Sequence, residues 1–408
     1  MKVVSLLPDF GWPAFQGAAR ALYAMVVEQH IDAITIDLRA VQRAFPNGVV
    51  PLVVLLNQYR KNLGVHFGAM LPDSTDVARI FDTQNWAAHL FPDHGFPLTN
   101  RPSALHRFSE TTVNELINGH IRDALGQASY AQGVLQAFEW ALNEIAGNAL
   151  VHSGAPEAWM EVVVQRSARR MAIVVADGGL GIPETIRHAF PDKAPRDEDA
   201  IALALQEGIT SKPDFGQGKG LTGTLAIVKA NDGGRLSVHS AGGVVEWRDA
   251  RLSIRPEFPP FQGTMVDIQL SIEQPIDIET ALWGQGPVFP FNEALFGRET
   301  PLGVMRFVLA REASGFGNRL TGQQVRLKIE NLLTSAPDHV LEVDFAGVEL
   351  IASSFADEVF GKLALSLGFV GFSSRLRLIR LNKFCRGIID DVVKSRIVQA
   401  HGNGAHGK

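Results

Sequence analysis

Two stretches near opposite ends of the 408-residue chain run the same course, and this restricts the fold more than any other feature. Residues 34–56, ITIDLRAVQRAFPNGVVPLVVLL, and 341–363, LEVDFAGVELIASSFADEVFGKL, each read as strand, aspartate, apolar turn and apolar helix. Asp37 aligns with Asp344 and Asn47 with Ser354, a likeness of pattern more than of identity. Strands that pass so quickly into helices imply sheets covered by helices, an α/β fold class. The first block predicts a helix over Pro13–Gln29, a strand over Ala33–Leu38, a helix over Val49–Leu63 and a strand over Val65–Leu71. FPDHGFPLTNRP then reads as a linker. The last block predicts helices over Gly322–Ser335 and Ser354–Leu367, with strands at His339–Phe345 and Leu376–Leu381, before a frayed QAHGNGAHGK tail.

Composition removes several function classes. With 46% hydrophobic and 20% charged residues, the chain can build several packed cores. Its formal charge of −5 gives no reason to expect nucleic acid as a partner. Cys385 is the only cysteine, which excludes an internal disulfide and a cysteine-built zinc site. The opening MKVVSLLPDFGWPAF meets Pro8, Asp9 and Pro13 too early for a signal peptide. No apolar run approaches the length of a spanning helix, so a soluble, cytoplasmic protein without a membrane partner is expected.

The middle block carries four clusters. In ALNEIAGNALVHSG, Glu144, Asn148 and His152 are spaced four apart and share one helix face within Ala131–Val151. An asparagine carbonyl is a hard oxygen ligand of the kind Mg²⁺ takes beside phosphate oxygens, and Glu144 one turn away could align or deprotonate an attacking hydroxyl or water. A polar face on a surface helix would look the same. In VVADGGLGIP, after a strand at Met171–Ala176, Asp177 could accept from an exocyclic amine, with Gly178, Gly179 and Gly181 clearing the approach. An ordinary Asp-Gly turn gives the same letters. In EGITSKPDFGQGKGLTG, Gly216, Gly218 and Gly220 precede a helix at Leu221–Asn231, and a glycine loop feeding a helix start suits phosphate, with Lys212 and Lys219 adding positive charge. A mobile surface loop is the bland reading. The fourth cluster is Gly263-Thr264 at the head of GTMVDIQL. Further strands are expected at Trp159–Gln165, Arg235–Ser240, Val244–Arg248 and Gly263–Leu270.

In that order, the four clusters resemble the N, G1, G2 and G3 boxes of the GHKL ATPase and kinase superfamily, and TSKPDFGQGKGL is similar to the lid of histidine kinases and anti-sigma kinases. The resemblance implies a Bergerat-type α/β sandwich, a mixed sheet with helices on one face, binding ATP and Mg²⁺. It implies Glu144 as general base, Asn148 as magnesium ligand, and Asp177, Gly179, Gly181 and Thr264 around the base. Gly216, Gly218, Gly220 and Leu221 would close the phosphate end of a lid running from about Pro183, with Lys212 or Lys219 on phosphate as a weaker inference. His152 stays open between a helix-end residue and a phosphate neighbour. VDFAGVELIASSFADEVFGKL resembles the STAS fold, specifically the STAS-like domain of unknown function that often accompanies bacterial GHKL ATPases. The first block would be a degenerate second copy.

That resemblance marks Ser353 and Ser354 as candidate phosphoacceptors, but a helix N-cap is the preferred reading because Phe355 stands where antagonists typically carry glycine. The expected division is 1–103, 104–274, a linker at 275–291, 292–398 and a tail at 399–408. No phosphoacceptor-histidine setting surrounds His106 or His120, and no transducer with a phosphate-sensing lysine follows Leu270. The expectation is an ATP-dependent switch, with slow hydrolysis or serine kinase activity, acting on protein partners through STAS-like domains, with a homodimer allowed. A sensor that binds ATP without turnover, or an ATP-dimerised clamp in stress or phage defence, are the alternatives.

Overall fold

The structure, a computed structural model, describes residues 2–206, 209, 220–283 and 303–402. The chain divides into two compact units: residues 1–120 with 137–284, and residues 121–136 with 285–408. Among the described residues, no helix is long and apolar enough to cross a membrane.

The first unit opens with β1 (Lys2–Ser5), β2 (Asp9–Phe10) and α1 (Trp12–Tyr23), which runs on as a wide helical turn over Ala24–Glu28. Next come β3 (Ala33–Asp37), β4 (Arg43–Ala44), α2 (Pro46–Leu63), β5 (His66–Met70), α3 (Thr75–Thr83) and α4 (Trp86–Leu90). β1, β3 and β5 form a parallel sheet in that order. α2 starts three residues before the sequence expectation, because Pro46 suits the first helical position. It stops at Gly64, whose φ of 67° lets its N–H turn back to the Arg60 carbonyl at 3.1 Å. Val49, Val50, Leu52, Val53, Val54 and Leu56 are all buried, as a helix apolar on every side must be.

The chain continues through β6 (His106–Phe108), α5 (Val113–Leu125), α6 (Val134–Val151), β7 (Ala158–Gln165) and β8 (Arg170–Asp177). Then follow α7 (Ile182–Ala189), α8 (Asp197–Ala204), α9 (Gly220–Ala230), β9 (Arg235–Arg248), β10 (Arg251–Ser271) and α10 (Ile278–Trp283). The sheet order is β6-β7-β8-β10-β9. The mixed sheet expected from sequence is corrected here, since every pairing is antiparallel. Short turns join β7 to β8 and β9 to β10, and a short turn can only reverse the strand. At the second of these, Asp249 and Ala250 take φ of 52° and 58°, so three expected strands become one long hairpin.

Helices on one face only is also corrected. Trp159, Val174, Ala176, Phe261 and Met265 point from the sheet into the same apolar core as Val50, Leu52 and Leu56 of α2, which packs across β7, β8 and β10. The first block and the central sheet therefore share one core.

The second unit holds β11 (Val304–Val308), α11 (Leu309–Glu312), α12 (Arg319–Ser335), β12 (Val340–Asp344), α13 (Ser353–Ala356), a wide turn over Asp357–Gly361, α14 (Lys362–Arg375), β13 (Leu376–Ile379) and α15 (Lys383–Gly402). Its three strands are parallel in the order β11-β12-β13. Within this unit, buried Asn331 of α12 donates to the carbonyls of Leu125 and Ala128 at 2.8 Å and accepts from the Tyr130 N–H at 3.1 Å.

Asp37 and Asp344 both end a middle strand. Each accepts the N–H two residues on, from Arg39 at 3.1 Å and Ala346 at 3.0 Å, and each pairs with an arginine, Arg39 or Arg380. The repeat thus has a structural core, an aspartate turn repeated at both ends of the chain.

Candidate functional site

Strand register assembles the first part of the site. Ala158, Asp177, Thr264 and Ser240 stand side by side across β7, β8, β10 and β9. Alternation along each strand turns this row away from the face that carries Trp159, Ala176, Met265 and His239. Asp177 is 3% exposed, and its Oδ1 accepts the Gly179 N–H at 2.9 Å. Burial pushes its carboxyl up to about 7, against the pull of the backbone N–H groups of Gly179 and Thr264.

Ser240 holds the strand ends together. Its hydroxyl donates to the Gly263 carbonyl at 2.7 Å, accepts the Ile182 N–H at 2.9 Å and shares a hydrogen bond with the Thr264 hydroxyl at 3.1 Å. Gly181 and Gly263 have φ of 80° and 103°, a region L side chains avoid. A Cβ at Gly181 would stand 2.8 Å from the Ser240 hydroxyl, and one at Gly263 would overlap the Asp177 carbonyl oxygen.

The second part sits on α6. Glu144 and Asn148 lie one turn apart and both are half-buried. Burial raises the proton affinity of Glu144. The first residue of α9 comes against both of them: a Cβ at Gly220 would lie 2.7 Å from Glu144 Oε2 and 3.1 Å from Asn148 Nδ2. Only glycine lets α9 begin there without displacing them.

Ser153 joins the two parts. Its carbonyl accepts the Leu180 N–H at 2.7 Å and fills the space a Gly179 side chain would need. The glycines after Asp177 therefore clear room for protein atoms: Gly178 for the Gln58 amide, Gly179 for Ser153 and Gly181 for Ser240. His152 continues the helix, donating its N–H to the Asn148 carbonyl at 3.0 Å. Leu221 packs with Ile186, Ala194, Ala200 and Ala204.

The residues expected to act together thus fall into two groups, Asp177 with Gly179, Gly181 and Thr264, and Glu144 with Asn148 and Gly220. Lys212, Gly216, Gly218 and Lys219 lie outside the described residues. Sequence reasoning passed over Ser240, Ser153 and Gln58. Only Gln58 carried a signal, as a polar residue late in a run of apolar helix.

Chemically, the site offers a buried carboxylate that gains from a hydrogen-bond donor and a pair of oxygen-bearing side chains at a helix start. Among the described residues, no group of three or more His, Cys, Asp or Glu side chains could hold a metal ion. An amide and a single carboxylate suit a cation that takes its other ligands from a bound anion and water.

In the second unit the helix cap is corrected. Ala352 is the N-cap, extended at φ −74° and ψ 149° and without a side-chain cap bond. Ser353 and Ser354 are the first two helical residues, exposed and half-exposed. Phe355 is fully buried and meets Phe316 edge-on at 5.9 Å, so it serves the core.

Residues 321–383 match the family described as a STAS-like domain of unknown function (DUF4325). No curated protein matches the chain. The second unit therefore contains a STAS-like domain.

Proposed function

We propose that the chain is an ATP-binding regulatory protein of the GHKL type, with a Bergerat-like nucleotide site in its first unit and a STAS-like domain that engages a protein partner. One observation carries this reading: described residues of the four sequence clusters, up to about 120 residues apart, meet through the Asp177–Thr264 register, the Ser153–Gly179 contact and the seating of Gly220 against Glu144 and Asn148. Unrelated turns and loops would have no reason to meet.

On this reading Asp177 accepts from the exocyclic amine of adenine, which guanine lacks at that position. The bond also supplies the donor that a buried carboxylate needs. Asn148 would hold Mg²⁺ through its carbonyl oxygen, and the ion, when bound, neutralises charge on the phosphate oxygens. The N–H groups of the first turn of α9 suit the phosphates. Glu144 would take the proton from the water or serine hydroxyl attacking the terminal phosphorus, as the bond to ADP breaks; its raised proton affinity favours that role. Ser353, exposed at a helix start, is the better placed acceptor of the two serines should phosphate pass to the STAS-like domain.

The test is incubation with γ-labelled Mg-ATP of wild type and Glu144→Ala, following free phosphate and phosphoprotein. The variant should bind ATP within a few-fold of wild type while turnover falls on the order of 100-fold or more. Equal turnover in the two proteins would remove Glu144 from the reaction.

A further inference from the structure

Helix α2 belongs to the first block, yet Gln58 near its C-terminal end reaches the candidate nucleotide site. Gln58 is 7% exposed, and its Nε2 donates to two carbonyls, Gln262 at 2.9 Å and Gly178 at 3.2 Å. Gly178 directly follows Asp177, and Gln262 directly precedes Gly263-Thr264. One amide thus bridges the two chain segments that bring Asp177 and Thr264 together. The fit is close, because a Cβ at Gly178 would stand 2.8 Å from the same Nε2. At the other end of the helix, Asn47 Nδ2 donates to Asp267 Oδ2 at 2.9 Å toward the C-terminal end of β10, three residues beyond Thr264. α2 is therefore pinned at one end to the body of the sheet and at the other to its site-forming rim.

We propose that Gln58 is a positioning residue for the nucleotide base, through which the N-terminal block sets adenine affinity and selectivity. This rests on the reading of the site as an ATP site. Gln58 touches no ligand in this account; it fixes the distance between the Asp177 loop and the Thr264 turn. Both carbonyls lose this side-chain donor if the amide is removed, so the tie between the two segments is released. The effect falls on the base end, so ATP, ADP and AMP should weaken by the same factor.

The experiment uses the full chain. Titration calorimetry with Mg-ATP, Mg-ADP, AMP and Mg-GTP is run on wild type, Gln58→Leu, Gln58→Asn and Asn47→Ala, with melting temperatures measured without nucleotide. Gln58→Asn, one methylene shorter, withdraws the amide while keeping a polar side chain, and it decides the matter if the leucine variant does not fold.

Expected is a loss of about tenfold for all three adenine nucleotides in both Gln58 variants and a smaller ATP-to-GTP preference. Asn47→Ala should lower the melting temperature yet bind within about twofold of wild type, since its partner lies away from the rim. Wild-type affinity and selectivity in a folded Gln58 variant would overturn the inference while leaving the ATP site standing. So would losses in all variants that simply track melting temperature. A wild-type chain that binds no adenine nucleotide would overturn both.

Discussion

Two buried carboxylates of the first unit make opposite demands on solution conditions. Glu161 on β7 is fully buried; Trp86 donates to its Oε2 at 2.8 Å, and burial pushes it from 4.5 up to about 8. A folded-state value above the unfolded one means the neutral form is favoured. Its stabilising contribution is therefore complete below about pH 4.5 and is lost as pH rises through about 8. Glu161→Gln stays neutral, so its melting temperature should gain on wild type between about pH 4.5 and about 8 and level off above. A constant difference across that range would mean that Glu161 is already ionised. On the proposed reading, Asp177, pushed up to about 7, would act in the converse sense in binding. An amine donor favours the carboxylate, so ATP affinity should rise as pH increases through about 7 and then level off. Asp177→Asn should show no such rise.

At the scale of elements, the loops of the site are held by glycines set against backbone. Gly179→Ala would drive a methyl into the Ser153 carbonyl oxygen, which cannot swing aside because the Leu180 N–H holds it at 2.7 Å. A cost of about 1–3 kcal/mol is expected, read by chemical denaturation. A fully stable variant would show that the end of α6 is not seated against this loop. In the second unit, Asn331 satisfies two carbonyls and one N–H of the Leu125–Tyr130 segment. Asn331→Leu removes all three of these hydrogen bonds and should cost about 2–4 kcal/mol by the same method. A cost near zero would mean that water replaces the amide.

Much of the site was legible because it depends on local spacing. Glu144 and Asn148 share a face through the helical repeat alone, and Asp177 sits at a strand end because an apolar run meets glycines there. The aspartate turns at Asp37 and Asp344 were legible for the same reason. What escaped were contacts between distant elements: the carbonyl that fills the space beside Gly179, the hydroxyl of Ser240, and Gln58 reaching across from another block. The helix cap expected at Ser353 or Ser354 falls on Ala352, which takes the extended conformation itself, so both serines lie inside the helix.

For the whole molecule, the shared core of the first unit has a practical consequence. A chain beginning at residue 104 would strip α2 from Trp159, Val174, Ala176, Phe261 and Met265, exposing a broad apolar face. It should melt without a cooperative transition, or aggregate, by calorimetry; a sharp transition would show that the central sheet is self-sufficient. On the proposed reading, the STAS-like domain of the second unit, of a kind that often mediates protein interaction, would engage a partner, and the nucleotide site would supply the signal. The proposed role depends on ATP binding, and the most direct test is calorimetric titration of Mg-ATP into the wild-type chain and Asp177→Ala side by side. Saturable binding to wild type at one nucleotide per chain, at least about tenfold weaker in the variant, is the predicted result. No binding to wild type, or equal binding to both, would contradict the account.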